Sequence, residues 1–555
     1  MAPSNKMVVA AAVVALLLVV MAVVHVPQGV MVAAAAAAPP HYRAAVFQHY
    51  RTKEAKRPQW SKMQNVASYK NATARAAAQG ARIIVFPEVG LGGNAISRAL
   101  NMEFAEDVPD GRDSINPCWD NDPNYCTARP ALCALSCMAA EHGMYVVVGM
   151  NDRKACNATS DPHCPKDGAY LFNTGVVFDS YGTVIARYHK KHIFTPFPVF
   201  DTPNVAEVRY FDTDFGVRFG IFICFDSLFP DPPLELVKQG IKHFVFPTSW
   251  TNVPPILTAT QYQQAWSRAF NTTFLAANTA EHGTSGSGIY ACGHPIATYF
   301  NYTADGLQDE QLLVADVPTD PCAPVSSSLA ARSVTTARLH KNSKQSSSSN
   351  NNNNNNNDSD NNDGDNSGSA SDSKHCGTIG VDPCACDIVD AVPGKSGTLT
   401  AEFNGLKCTA QYSFAANQTA TNERYGLVVY SGTAWFLEPL PAQICTLVRC
   451  ATPQACITPD VSGDFLFPAH TLVNSFSIQG NFTYAREQQF PLLVEDGGQL
   501  LPKTALHAVV NGIASSGSVW PRKLLAASII GRPWNSTTTT TAAATGGGKR
   551  RIQGG

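Results

Sequence analysis

The stretch FGVRFGIFICFDSLFPDPPLELVKQGIKHFVFPTSW, residues 215–250, decides the fold. FGVRFGIFIC (215–224) is an apolar run of strand length, LELVKQG (234–240) reads as a short helix, and KHFVFPTSW (242–250) reads as a second strand. Short apolar strands alternating with helices predict a layered α/β domain. The same rhythm runs toward the N-terminus. AAVFQHY (44–50), ARIIVFPE (81–88) and MYVVVGM (144–150) read as strands, separated by helical segments over 63–79 and from Pro130 to His142. NTGVVFD (173–179) and TVIARYH (183–189) form a strand pair joined by the turn Ser180-Tyr181-Gly182.

The chain around this core has 555 residues, 41 Lys+Arg against 43 Asp+Glu and a net charge of −2. That length predicts two to four domains, and the balanced charge argues against a nucleic-acid binder, which concentrates basic residues. Hydrophobic residues make up 44%, ordinary for a globular protein, but charged residues reach only 15%, so Ser, Thr, Asn and sugar must carry much of the polar surface. After MAPSNK come 18 unbroken apolar residues, Met7 to Val24, and an alanine run from Ala33 to Ala38. A basic head, an apolar stretch and small residues behind it describe a secretory signal cleaved in the alanine run; an uncleaved membrane anchor is the alternative that this length allows.

Sixteen cysteines in spaced groups, without a CxxC…CxxC zinc pattern, predict disulfides behind that signal. Eight N-x-S/T sequons, at Asn71, Asn157, Asn271, Asn301, Asn357, Asn417, Asn481 and Asn535, fit glycosylation on the secretory route. The polar C-terminal TTTTTAAATGGGKRRIQGG has none of the apolar tail that a glycolipid anchor signal requires. Residues 341–375, with a run of eight Asn, cannot bury enough apolar surface to offset the entropy of ordering and predict a disordered linker. The expected organisation is a signal over 1–38, the α/β domain over 42–325, a linker over 326–375, a smaller β-rich, disulfide-stapled domain over 376–530 and a disordered tail over 531–555.

Three residues each stand just past a predicted strand: Glu88 after IIVFP, Lys190 after TVIARYH, and Cys224 at the end of GIFIC. Strand ends are where an α/β sheet presents reactive groups, because the sheet fixes position while the loop gives access. Read locally, Cys224 is a core cysteine, half of a disulfide, or a nucleophile that needs a base or positive field to ionise. Removing it leaves fifteen cysteines, so at least one more is unpaired within the monomer. Glu88 is a solvated turn carboxylate or a base with apolar neighbours. Lys190, beside Lys191 and His192, is a solvated edge or a lysine facing an oxyanion. Together they make coherent chemistry: a carboxylate takes the thiol proton, the thiolate attacks an amide carbonyl, and the lysine meets the developing charge.

FPE, YHK and the CFD of IFICFD, at these spacings, resemble the Glu–Lys–Cys triad of the nitrilase (carbon–nitrogen hydrolase) superfamily. NPCWDNDPNY, KACNATSDPHCPKDGAYLFNTGVVFDS, FVFPTSW and GSGIYA are similar to its biotinidase/vanin (pantetheinase) branch, and ICTLVRC resembles a cysteine motif of that branch's C-terminal base domain. The resemblance implies a nitrilase-type α-β-β-α sandwich followed by a vanin-type base domain. It implies Glu88 as general base, Lys190 at the oxyanion side, Cys224 as nucleophile and the Phe225 backbone N–H in the oxyanion hole.

Many family members carry a further glutamate six to eight residues after the lysine. Here that window, Pro196-Phe197-Pro198, holds no acid, and the first acid is Asp201; Asp201 substitutes, the loop is rearranged, or the acid is absent. The implied activity is secreted, thiol-dependent hydrolysis of a vitamin-type secondary amide, biotinyl-lysine or pantetheine. Acyl transfer from the same thioester and a catalytically silent binding protein are the competing readings. His192, Trp250 and Tyr290 are candidate pocket-wall residues, although aromatic residues of this kind more often belong to a core. No cofactor is expected: GLGG (90–93) lacks the phosphate-loop ending, and His189 with His192 lacks a third metal ligand. The expected partner is a small-molecule amide, with membrane contact only if the N-terminal segment stays uncleaved.

Overall fold

A computed structural model describes residues 40–323, apart from 94–96, 121, 123, 195–198, 253–256, 282 and 302–309, and the stretches 384–435, 439–450, 470–483, 489–495, 506–510, 513–516 and 524–531. The N-terminal apolar segment, the 326–375 stretch, the Pro196 window and the C-terminal tail lie outside the described residues.

Six strands, β1 (His41–Gln48), β2 (Ile83–Val85), β3 (Tyr145–Ala155), β4 (Ala169–Phe178), β5 (Val184–His189) and β12 (Gln311–Pro318), form one sheet in the order β12-β1-β2-β3-β4-β5. A second sheet runs β11-β10-β9-β8-β7-β6, from β6 (Arg209–Asp212), β7 (Arg218–Ile221), β8 (His243–Pro247), β9 (Thr273–Ala277), β10 (Ser287–Ala291) and β11 (His294–Tyr299). In each sheet three neighbouring strands are parallel, β1-β2-β3 and β7-β8-β9, and the outer pairings are antiparallel.

Alternation along the strands sets the layers, because successive side chains point to opposite faces. Ile83, Val85, Tyr145 and Val147 join a core shared with Phe219, Ile221 and Val245 of the second sheet. Their neighbours Ile84, Phe86, Val146 and Val148 face the opposite way, onto Val66, Tyr69 and Ala72 of helix α1 (Pro58–Ala78) and Leu132, Leu135 and Met138 of α2 (Pro130–His142). On the outside of the second sheet, Trp266 of α3 (Ala259–Ala269) meets Phe222, Phe244 and Phe274 at centroid distances of 5.2, 5.1 and 4.7 Å. These are the four layers of an α-β-β-α sandwich. Helices α1 and α2 both open on proline, whose missing N–H costs nothing in a first turn. Gly143 closes α2 at φ 57°, as a left-handed cap.

Among the described residues, ten strands between Ala385 and Gly531 build two five-stranded antiparallel sheets. Cys408 and Cys445 bridge one to the other. In the strand Arg424–Trp435, Leu427 and Val429 enter the core between these sheets, while Val428 and Tyr430 pack into the core of the α-β-β-α sandwich. The sheet is therefore covered on both faces. Four further disulfides are Cys118–Cys137, Cys126–Cys133, Cys156–Cys164 and Cys292–Cys322. Cys224 is not in a disulfide, and neither is Cys384.

Two strands are shorter than their apolar runs. ARIIVFPE contributes three paired residues, and Pro87 ends the run. FGVRFGIFIC pairs only over Arg218–Ile221; Phe222 and Ile223 continue buried, and Cys224 then turns the chain at φ 46° into a 3₁₀ turn, Cys224–Leu228.

A close approach seats the first of these strand ends. Gly90 N–H donates to Gly149 O (3.2 Å), and a Cβ on Gly149 would fall 2.4 Å from Pro87 O and 2.6 Å from Glu88 Cα. Gly149→Ala is expected to destabilise the fold by about 1–3 kcal/mol through this overlap. An unchanged urea midpoint would show that the Glu88 turn yields freely.

Candidate active site

Glu88, Lys190 and Cys224 are brought together from three strand ends. Glu88 follows β2 in one sheet, and its N–H reaches Thr248 O at the end of β8 in the other (3.4 Å). Lys190 follows β5, its N–H held by Asn173 O of β4 (2.8 Å). Cys224 opens the turn after β7. All three are buried, at 5, 2 and 5% exposure.

Glu88 Oε1 accepts from Lys190 Nζ at 2.5 Å and Asn173 Nδ2 at 2.7 Å, while Oε2 accepts from Ser249 N–H at 2.8 Å. Burial pushes the Glu88 carboxyl up. The Lys190 charge and the hydrogen bonds from Lys190, Asn173 and Cys224 outweigh it, holding the group below its ordinary value. Burial likewise depresses Lys190, but the negative charge of Glu88, foremost among the opposing effects, holds it above its ordinary value. The Cys224 thiol is pushed up to about 12 by burial and by the Glu88 charge, against the opposing effects of Lys190, the Thr248 hydroxyl and Ser249 N–H. The resting site therefore holds a carboxylate, an ammonium and a protonated thiol. A thiol in this state attacks only as a base removes its proton, and the Glu88 carboxylate is hydrogen-bonded to it.

The Glu88 turn is itself constrained. Val89 sits at φ 46°, a conformation that β-branched residues rarely adopt. The buried Arg51 donates to Val89 O at 3.1 Å and pairs with Glu281.

The other sequence candidates are distributed differently. Phe225 follows the thiol on the same turn, its ring packed on Phe194 and Phe229 at 5.0 and 5.1 Å. His192 is half-buried, stacked on Phe229 at 3.8 Å, with Nε2 2.9 Å from Asp231 O. Trp250 is buried on Tyr262 at 4.5 Å and donates to Leu257 O. Tyr290 lies in the interior, its hydroxyl on Gln263 Oε1 at 3.0 Å. None of these side-chain hydrogen bonds reaches Glu88, Lys190 or Cys224. The Asp201 carboxylate is engaged by Arg98 (2.9 Å) and Leu171 N–H (2.7 Å). Asn173, Ser249 N–H and Asp226 were not singled out from sequence; Asn173 and Asp226 lie inside the motifs NTGVVFD and CFD, whose spacing alone carries no role for them.

A profile of the carbon–nitrogen hydrolase family matches residues 43–318, and one of the vanin C-terminal domain matches 387–537. The chain is similar to a pantetheinase of Sus scrofa, 33% identical over 443 residues, covering 79% of this chain and 77% of that one. A pantetheinase of Mus musculus is 39% identical over 423 residues, covering 76% and 73%. A biotinidase of Takifugu rubripes is 32% identical over 456 residues, covering 81% and 84%.

The depressed Glu88 value fixes the sign of a pH effect. Its ionised form stabilises the fold above the ordinary value of 4.5, and that contribution is lost as pH falls through the lower folded value. Glu88→Gln leaves Lys190 buried without its counter-charge, which is expected to cost about 3–5 kcal/mol at pH 7. The stability gap to the unsubstituted protein should narrow as pH drops below 4.5. A gap independent of pH in denaturant titrations would contradict the ion pair.

Proposed function

The chain belongs to the carbon–nitrogen hydrolase family, in a form that carries a vanin C-terminal domain, and we propose that it is a secreted cysteine amidase working through a thioester. That it is an enzyme hydrolysing carbon–nitrogen bonds of amides follows from the family. The finer reading rests on one observation, the meeting of Glu88, Lys190 and Cys224 in a single buried cluster.

In this reading Glu88 takes the Cys224 proton as sulfur attacks the amide carbonyl, and the carbonyl electron pair moves onto oxygen. Lys190 and the Phe225 N–H face that oxyanion, where a preorganised charge in a dry site is most effective. Collapse breaks the C–N bond, and the amine departs with the proton that Glu88 had taken. Water then attacks the thioester with Glu88 as base, and sulfur leaves to recover the proton. The cycle balances without an external acid.

The relatives' names, pantetheinase and biotinidase, support a vitamin-type secondary amide as substrate, pantetheine or biotinyl-lysine. His192, half-buried beside the Cys224 turn, is the aromatic candidate best suited to a pocket wall; Trp250 and Tyr290 would act through packing. Five disulfides among the described residues support an oxidising, extracellular compartment.

Amine release from a pantothenyl amide and from a biotinyl amide, measured beside Cys224→Ala, tests this directly. Release from one of them, abolished by the substitution, is expected. Release from neither sinks the vitamin amidase reading, and release that survives Cys224→Ala removes the thioester.

A further inference from the structure

Asp226 is a fully buried carboxylate that touches neither the Lys190 ammonium nor the Cys224 sulfur by a hydrogen bond, yet its partners bracket both. On the cysteine side, Ile223 N–H donates to Oδ2 at 3.1 Å, and Asp226 N–H returns to Ile223 O at 3.0 Å, closing the turn around Cys224. On the lysine side, the Tyr188 hydroxyl donates to Oδ2 at 2.8 Å and His192 N–H donates to Oδ1 at 2.8 Å. Tyr188 and His192 stand two residues before and two after Lys190. The Tyr188 oxygen also accepts Lys191 N–H at 3.3 Å, so the grip extends along the lysine segment.

This matters because the two reacting groups come from different sheets, Lys190 from the end of β5 and Cys224 from the turn after β7. No strand pairing joins β5 to β7. Cys224 also holds a left-handed φ of 46°, which non-glycine residues keep only when surrounding bonds impose it. We propose that Asp226 is a positioning residue, a tie that fixes the Cys224 turn against the Lys190 segment and so sets the distance between nucleophile and oxyanion lysine. The tie requires a carboxylate. In an asparagine the amide NH₂ must replace one oxygen, and either choice sets it against a backbone N–H, that of His192 or that of Ile223.

The inference rests on the amidase reading, so its test has an arm that does not need turnover. In the full-length protein, Asp226→Asn and Tyr188→Phe are compared for kcat and KM on the cleaved amide, for iodoacetamide alkylation of Cys224 at pH 7, and for melting temperature. Asp226→Asn is expected to lower kcat about 100-fold, the scale of a small misplacement of reacting groups. KM should stay within roughly threefold, because the loss falls on the transition state. Tyr188→Phe removes one of the donors and should lower kcat about tenfold with the fold intact, which keeps the test decisive if Asp226→Asn does not fold. Alkylation should slow in the same order. Unsubstituted kcat and alkylation rates in the folded variants would overturn the tie. So would losses matched by the unfolded fraction alone. If the unsubstituted protein cleaves no amide, the amidase reading fails, and the alkylation rates still judge the tie.

Discussion

The buried pair of Glu88 and Lys190 is the interaction on which the site depends. Two opposite charges taken out of water must compensate each other and find hydrogen bonds for their remaining lone pairs and protons. Here Asn173 Nδ2 and Ser249 N–H complete the carboxylate, and the Cys224 thiol stands against the pair rather than in water. The consequence is chemical. In the proposed mechanism a base that is ionised, dry and already hydrogen-bonded receives one proton from the thiol, and the lysine left beside it faces the charge that forms on the substrate oxygen.

Holding such a pair requires a rigid frame, and the fold provides it by joining two sheets at the ends of their parallel strands. β2 delivers Glu88 from one sheet and β8 meets it from the other through Thr248 and Ser249. Close packing at Gly149, the left-handed Val89 and Cys224, and the Arg51 bond to Val89 O all lie within a residue or two of a reacting group or against one. Backbone strain at these places is affordable because aromatic packing behind the second sheet, around Phe222, Phe244 and Trp266, holds the surrounding elements in place. The C-terminal sheets add to that frame through Val428, Tyr430 and Ile444, which enter the same core.

Much of this was legible in the sequence. The helix from Pro130 to His142 is marked at both ends, by a proline at its first position and a glycine just past its last. Glu88, Lys190 and Cys224 could be singled out because each closes an apolar run, and the structure brings the three side chains together. Residues acting through hydrogen bonds were not legible. Asn173 opens NTGVVFD and falls mid-strand in β4, and nothing in its neighbours reports that its amide turns toward a glutamate 85 positions away. Cys408 and Cys445 pair across two sheets, a contact of tertiary origin. The strands before Glu88 and Cys224 were read too long for a related reason: hydrophobicity marks burial, and Phe222 and Ile223 are buried without being paired. Tyr290 shows the converse, an aromatic in a motif of the family whose place is the interior.

The thioester itself is the most direct observable. Intact-protein mass spectrometry, with the reaction quenched in acid during turnover of a cleaved amide, should find the protein carrying the acyl half of its substrate. Peptide mapping should place that mass on Cys224, and neutral hydroxylamine should remove it. Turnover with no adduct at Cys224, or with the adduct on another residue, would contradict the account.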